Sequence, residues 1–135
     1  MGGERDLAAL LRHMAPDLRP GIFVFSTIST RESIPTAISA LLAFREQEGT
    51  TLVILREEAE AAGLRYAFPS RLITLTVHSA LDAVGFLAAI TARLAQAGIS
   101  VNAVSAFHHD HLFVPLDRAD EAMAILQEMS SAMRA

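Results

Sequence analysis

The chain has 135 residues and a formal net charge of −4, and it contains no cysteine and no lysine. Without cysteine there is no disulfide framework, no thiolate metal site and no cysteine nucleophile. A mildly acidic chain without basic clusters is a poor candidate for binding nucleic acid. No apolar stretch is long enough to span a membrane, and the charged N-terminus lacks the apolar region of a secretory signal. We therefore expect a cytoplasmic protein without a membrane or nucleic-acid partner.

The first half of the chain predicts short helices that alternate with strands. Apolar residues at helical spacing indicate helices, and runs of β-branched and aromatic residues indicate buried strands. Gly49 and Gly63 are natural positions for helices to end. The predicted elements are a helix over residues 4–14, a strand over 21–28, a helix over 36–48, a strand over 51–56 and a short acidic helix that stops at Gly63. Residues 66–71 are interpreted as a junction.

The second half of the chain has a clearer pattern. The predicted elements are a strand over residues 71–79, a helix over 82–97, strands over 99–107 and 111–115, and a final helix that Asp117 caps. This β–α–β–β–α order matches the ferredoxin-like fold except for its last strand. The first half also contains alternating helices and strands, but in a less complete order. One half could therefore supply the edge strand that the other half lacks.

These elements predict an α+β protein with tandem ferredoxin-like halves, residues 1–68 and 69–135. We expect antiparallel sheets with helices packed on one face. A half of this size is marginal alone, so the two halves are expected to fold together.

The second half resembles an ACT domain. In that family a strand leads into a loop, a glycine opens a helix, and a second glycine precedes the next strand. The matching residues are Val77, Gly85, Gly98, Ile99 and Val101, followed by the turn and strand DHLFVP. Val84 stands where the family usually has a proline. Roughly residues 14–130 are similar to small tandem-ACT proteins, to the ACT domains of aspartokinases and to the arginine sensor CASTOR.

The resemblance implies a sensor that binds a small molecule, usually an amino acid, without catalytic activity or a cofactor. ACT domains bind amino acids at interfaces between paired domains, so a homo-oligomer is also expected. We place the ligand at the junction of the halves or between protomers. No kinase, dehydrogenase or DNA-binding segment fits in this length. Any regulatory output is therefore expected to act on a separate protein or through oligomerisation.

The loop before the second-half helix is the first candidate site. A ligand carboxylate needs backbone N–H donors that no helical carbonyl occupies, and the first turn of this helix offers them. Gly85 has no Cβ, so a ligand can approach the backbone closely. The candidate residues are Ser79 through its hydroxyl, Asp82 as a cap, and Val84, Gly85 and Phe86 through their backbones. The alternative is that Asp82 is only a cap and that Gly85 only permits close packing.

Asp110 is the best candidate side chain for the ligand's ammonium group, by resemblance to the arginine sensor, whose matching aspartate contacts the ligand amine. Ala106 matches another ligand-contacting position of that sensor but lacks its hydroxyl. Asn102 lies in a predicted strand and could hold a ligand or bond across an interface. Ser26 and Thr27 complete the candidate pocket through the similarity of the two halves. Asp110 is equally well explained as a turn residue, and Asn102 as a satisfied edge residue.

The histidines suggest a metal site as an alternative. His109 and His111 would lie on one face of a continued strand, and His78 could supply a third ligand. Against this, the chain has no HExxH helix, no nucleophile elbow and no glycine-rich phosphate loop, so we expect neither a metal nor an enzyme. Two alternatives stay open: a ligand-free interaction or assembly module, and a metal-dependent enzyme centred on residues 108–111.

Overall fold

The computed structural model describes residues 3–134, which form two compact units. Unit 1 comprises Met1–Pro20 and Arg71–Ala135, and unit 2 comprises Gly21–Ser70. In chain order the elements are α1 (Leu7–His13), β1 (Pro16–Leu18), β2 (Phe23–Ile28), β3 (Leu42–Arg45), β4 (Thr50–Leu55), α2 (Arg56–Ala61), β5 (Ala67–Leu75), α3 (Phe86–Gln96), β6 (Asn102–Ser105), β7 (Asp110–Pro115), a 3₁₀ turn (Leu116–Arg118) and α4 (Ala119–Arg134). No helix within residues 3–134 is long and apolar enough to cross a membrane.

The sheet of unit 1 has the strand order β1–β5–β7–β6. β1 pairs antiparallel with β5, with Pro16 opposite Leu75 and Leu18 opposite Ile73. β6 and β7 form an antiparallel hairpin. β1 therefore takes the position of the last strand that the β–α–β–β–α pattern lacks. The expectation that the first part of the chain lends this edge strand is confirmed.

The helices of unit 1 pack on one face of its sheet, as predicted. Alternate residues of a strand point to the same face, and these side chains join those of the helices in one core. Its largest fully buried side chains are Leu10, Met14, Ile73, Leu75, Ile90, Leu94, Leu112 and Leu126. Because Leu10 and Met14 come from the N-terminal segment, that segment is part of the core of unit 1. The predicted α+β class is confirmed.

The sheet of unit 2 has the strand order β3–β4–β2–β5, with the first residues of β5 at its end. α2 packs on the face that carries a second, smaller core. The buried side chains of that core are Val24, Ile28, Ile38, Leu52, Ile54 and Ala59. This order is again that of a ferredoxin-like fold, but no helix connects β2 to β3.

The predicted helix over residues 36–48 is wrong. Residues 29–41 have no helix or strand, and Leu42–Arg45 pair with β4 instead. A Cβ on Gly49 would lie 2.8 Å from the carbonyl oxygen of Ile28, so this glycine permits a turn against β2 and does not cap a helix. The backbone N–H and C=O groups of residues 42–45 form hydrogen bonds with β4 instead of with one another in a helix. Helical spacing of apolar residues does not reveal such pairing between strands.

The boundary between the two units lies between Ser70 and Arg71, within the predicted junction over residues 66–71, but the chain there forms a strand, because β5 begins at Ala67 and continues to Leu75. Its pairing with β2 shifts register between Phe23 and Phe25, and Phe68 has a positive φ of 59°. Such a bulge interrupts the alternation by which a strand is recognised in a sequence.

Candidate functional site

Asp110 is a buried carboxylate at the start of β7, with only 4% of its surface exposed. Its Oδ2 accepts a hydrogen bond from the Ser79 hydroxyl at 2.9 Å, and its Oδ1 accepts one from the Ser105 hydroxyl. Ser105 lies directly opposite Asp110 in the β6–β7 hairpin, whereas Ser79 belongs to the loop that leads from β5 into α3. The carboxylate therefore ties this loop to the hairpin.

Asp110 forms no ion pair within residues 3–134, where the ion pairs involve other residues. Two neutral hydroxyls satisfy hydrogen-bonding sites of the carboxylate but supply no positive charge. Buried charges in proteins are usually paired, so a cationic group would complement this carboxylate in its ionised form.

The first turn of α3 presents unused amide groups. The helix begins at Phe86, and Gly85 is its N-cap with a φ of 94° and no side-chain cap. The amide of Ala89 donates to the carbonyl of Gly85 at 2.9 Å, but the amides of residues 84–88 have no acceptor among the described residues. Val84 is 84% exposed, whereas the ring of Phe86 is buried in the core. The amides and the helix dipole together suit an anionic group.

Asp82 does not begin or cap this helix, so that part of the prediction is wrong. It lies in a turn four residues before Phe86 and forms an exposed ion pair with Arg5, with Nε to Oδ1 at 2.9 Å and Nη2 to Oδ2 at 3.2 Å. The hydrogen bonds from Arg5 hold the pKa of Asp82 below its usual value. The side chain of Asp82 binds Arg5 instead of the helix, and this partner lies far away in the sequence, so the local pattern did not reveal it.

The N-terminal segment forms hydrogen bonds with the loop between β5 and α3. The sequence did not indicate this contact. The amide of Glu4 donates to the carbonyl of His78, and the amide of Ala80 donates to the carbonyl of Glu4, both at 2.8 Å. A Cβ on Gly3 would lie 2.8 Å from the nitrogen of Ala80. Gly3 therefore allows the close approach of the segment to the loop.

The remaining candidates in unit 1 lie in or beside the β6–β7 hairpin. Asn102 is exposed on β6, opposite Phe113. Ala106 is exposed in the hairpin turn, where its amide donates to the carbonyl of His109 at 3.0 Å. Ser105, in contrast, contacts Asp110 directly and was missed as a site residue. Its register opposite Asp110 across the short turn over residues 106–109 was the available signal.

Ser26 and Thr27 lie on β2 in unit 2. The buried Ser26 hydroxyl donates to the carbonyl of Arg65 at 2.6 Å, so it has a structural partner within that unit. Thr27 is exposed and lies opposite Thr51 of β4. Arg65 and Thr51, like Ser26 and Thr27 themselves, belong to unit 2.

The histidines do not form the arrangement that a metal site needs. Within residues 3–134, no group of three His, Cys, Asp or Glu side chains is placed to hold a metal ion. The rings of His109 and His111 stand 6.4 Å apart at 90°. His111 is half-buried and its Nδ1 lies 3.0 Å from the Thr74 hydroxyl. Burial, and then the neighbouring His109, lowers the pKa of His111 from 6.5.

Comparison with known families identifies the fold. Two family profiles, each described as an ACT domain, match residues 2–71 and 67–128. The chain belongs to the ACT-domain family. ACT domains are typically regulatory modules that bind amino acids, and the tandem resemblance seen in the sequence is confirmed.

The solved structures similar to this chain include two bacterial proteins and several aspartokinases. A protein of unknown function from Vibrio cholerae, described as a possible transport protein, is 42% identical, with a TM-score of 0.84 over 92% of this chain and 95% of that chain. A protein from Agrobacterium tumefaciens is 20% identical, with a TM-score of 0.72 over 87% and 89% of the two chains. No curated protein matches the chain.

The aspartokinase neighbours share the ACT fold alone, because their identities are low. E. coli aspartokinase III in complex with aspartate and ADP is 12% identical, with a TM-score of 0.62 over 85% of this chain and 33% of that chain. The regulatory subunit of aspartate kinase from Thermus thermophilus is 9% identical, with a TM-score of 0.62 over 85% and 97%. Both ACT regions of this chain therefore have the fold of aspartokinase regulatory domains.

Proposed function

We propose that this ACT protein is a regulatory sensor that reversibly binds an amino acid in unit 1 and catalyses no reaction. The observation that carries the proposal is the buried carboxylate of Asp110, which has hydroxyl partners but forms no ion pair within residues 3–134. An amino acid supplies an ammonium group for Asp110 and a carboxylate for the free amides at the start of α3.

Ser79 connects the two parts of the proposed site. It holds Asp110 through its hydroxyl and lies in the loop that ends at Gly85. Among the described residues beyond its chain neighbours and its own helix backbone, a Cβ on Gly85 would have Leu7 Cδ2 nearest, at 3.7 Å, so the backbone is open to a ligand. Ligand binding at this loop would then change the contacts of the loop with the hairpin and with the N-terminal segment.

The choice of an amino acid rests also on the family. ACT domains typically bind amino acids, and the E. coli aspartokinase III structure is described as a complex with aspartate. The identity of the side chain is left to experiment. We further propose that the protein acts as a cytoplasmic homo-oligomer on a separate partner protein, and sedimentation with and without the amino acid tests its oligomeric state.

The test is a thermal-shift panel of the common amino acids on the full chain. A ligand at about 100 times its Kd adds roughly 2.7 kcal/mol to the free energy of unfolding. We expect one amino acid to stabilise the wild type and Asp117→Asn, a matched change of an exposed aspartate. The same compound should not stabilise Asp110→Asn.

Calorimetric titration well below the melting temperature of each variant separates lost binding from lost stability. If no amino acid at millimolar concentration raises the melting temperature of the wild type, the proposal is wrong. The ligand-free assembly module then becomes the better interpretation.

A further inference from the structure

The carboxylate of Asp110 is covered by the residues that bind it. Asp110 is buried, and so is Ser79, whose hydroxyl binds one of the carboxylate oxygens. The hydroxyl of Ser105 binds the other oxygen from the hairpin. A cationic group therefore reaches this carboxylate only after part of the cover has moved.

Residues 3–6, called the strap from here on, hold the loop that carries Ser79. The backbone of Glu4 forms hydrogen bonds with the residues on either side of Ser79 and a parallel bridge with Ser79 itself. The side chain of Arg5 forms an ion pair with Asp82 of the same loop. Because these contacts lie on both sides of Ser79, they fix the position from which its hydroxyl reaches the carboxylate.

The strap is firmly anchored at one end only. Its last residue, Asp6, caps α1, and Leu10 of that helix is fully buried in the core of unit 1. No residue from Gly3 to Leu7 is buried, and the strap meets the loop through two backbone hydrogen bonds and one exposed ion pair. Exposed ion pairs contribute little to stability, so this end of the strap can open without unfolding the unit.

We infer that the strap is a gate over Asp110. In the closed state it keeps Ser79 on the carboxylate and shuts a ligand out. When the strap opens, the loop is released, the Ser79 hydroxyl leaves, and the carboxylate becomes accessible. The gate rests on the proposed function for its ligand, whose apparent affinity is reduced by the small fraction of open molecules.

Gly3 offers a selective way to open the strap. A Cβ on Gly3 would lie 2.8 Å from the nitrogen of Ala80 and 2.9 Å from the carbonyl carbon of Ser79, which are backbone atoms of the loop. Gly3 also has a φ of 75°, and opening relieves both the clash and this strain. Gly63→Ala is the matched control: its φ is 68°, but among the described residues beyond the chain neighbours its Cβ would meet no atom within 4 Å.

The test is carboxylate labelling of the full-length protein with a water-soluble carbodiimide and glycine ethyl ester, read by peptide mass spectrometry. The exposed Asp117 serves as the internal reference. In Gly3→Ala, Asp110 should be labelled roughly tenfold faster than in the wild type. Gly63→Ala should leave the rate unchanged.

Amide hydrogen exchange shows whether the opening is local. The amides of Glu4 and Ala80, which donate the two hydrogen bonds between strap and loop, should exchange faster in Gly3→Ala by about the same factor as the labelling. The amides of residues 111–114, in the inner strand β7, should keep their rates.

The ion pair provides a second, milder variant. Asp82→Asn removes the charge that Arg5 binds and should raise the labelling of Asp110 roughly two- to fivefold. Asp17→Asn, which removes the exposed ion pair with Arg19 in the same unit, is its control and should have no effect. This pair of variants decides the question if Gly3→Ala does not fold.

Three results would overturn the gate: unchanged labelling of Asp110 in both strap variants, an equal increase in the controls, or faster exchange of β7 along with the strap. The gate and the proposed function can fail separately. If an amino acid from the thermal-shift panel binds the wild type and Gly3→Ala equally well, the gate is wrong and the function stands. If no amino acid binds but the labelling follows the strap, the gate stands and the function is wrong.

Discussion

At the scale of single residues, Asp110 is the most deeply buried of the described acidic side chains. The other described aspartates and glutamates are at least partly exposed, whereas Asp110 is buried and holds two serine hydroxyls. Removing it would leave the buried Ser79 hydroxyl without its partner. The residue therefore has a structural role beside the ligand-binding role that we propose.

Asp110→Ala should lower the free energy of unfolding by about 1–3 kcal/mol, the usual cost of leaving buried polar groups unsatisfied. Chemical denaturation measures this change. Asp117→Ala is the control, because Asp117 is exposed within the 3₁₀ turn and, contrary to the sequence prediction, does not lie at the N-cap position of α4; this variant should stay within about 0.5 kcal/mol of the wild type. Equal stabilities of the two variants would show that the hydroxyl contacts of Asp110 contribute nothing.

His111 should make stability depend on pH. Its pKa in the folded chain is lowered from 6.5, chiefly by burial. In the unfolded chain, His111 binds a proton as the pH falls through 6.5, whereas in the folded chain it does so only at a lower pH. The free energy of unfolding therefore decreases as the pH falls below 6.5, until the pH is also below the folded pKa. Denaturation between pH 7.5 and roughly pH 5 should show this loss, and His111→Asn should reduce it. A profile of His111→Asn parallel to that of the wild type would contradict the assignment.

At the scale of elements, the start of α3 is set by a glycine and not by a side-chain cap. Gly85 and Gly98 flank this helix, with φ values of 94° and 73°. Both conformations are unfavourable for residues with a Cβ. Among the described residues beyond the chain neighbours, a Cβ at Gly85 would make an ordinary contact with Leu7, and one at Gly98 would meet no atom within 4 Å. Substitution at either position therefore costs mainly backbone strain.

Gly85→Ala and Gly98→Ala should destabilise the protein by similar amounts, roughly 1–2 kcal/mol each. Only Gly85→Ala should also weaken the binding of the amino acid found in the thermal-shift panel, because its Cβ lies beside the proposed amide site. Titration calorimetry of both variants separates the two effects. Equal affinities would place the ligand away from the start of α3.

At the scale of the whole molecule, unit 1 is built from both ends of the chain. β1 pairs with β5, and Leu10 and Met14 complete the core formed by residues after Arg71. The family match to residues 67–128 therefore omits an edge strand and part of the core of this unit.

A fragment of residues 67–135 should not unfold cooperatively, since it lacks β1 and α1. Thermal denaturation followed by circular dichroism tests this, with the full chain as the reference. In the full chain, Leu10→Ala should cost roughly 2–5 kcal/mol, as expected for a buried leucine. Leu7→Ala, at a partly exposed position of the same helix, should cost clearly less. A fragment with a sharp transition would show that residues 1–20 are dispensable for this fold.

Local sequence patterns alone predicted the helices and strands whose apolar residues recur at a regular spacing. Hydrophobic spacing predicted α3, α4 and the strands β2, β4 and β7, and the glycines around α3 with the DHLFVP segment indicated the ACT family. Such patterns are readable because burial imposes a regular period on each element. The resemblance to the arginine sensor indicated Asp110 as a candidate, and the predicted helix start indicated Ser79 and Gly85.

The tertiary structure decided what depends on distant segments. It pairs β1 with β5, turns the predicted helix over residues 36–48 into an irregular segment and β3, and joins Arg5 to Asp82. It also places Ser105 on Asp110 and leaves an open cavity beside Arg45. These features arise because free strand edges and buried polar groups must find partners, wherever in the chain those partners lie.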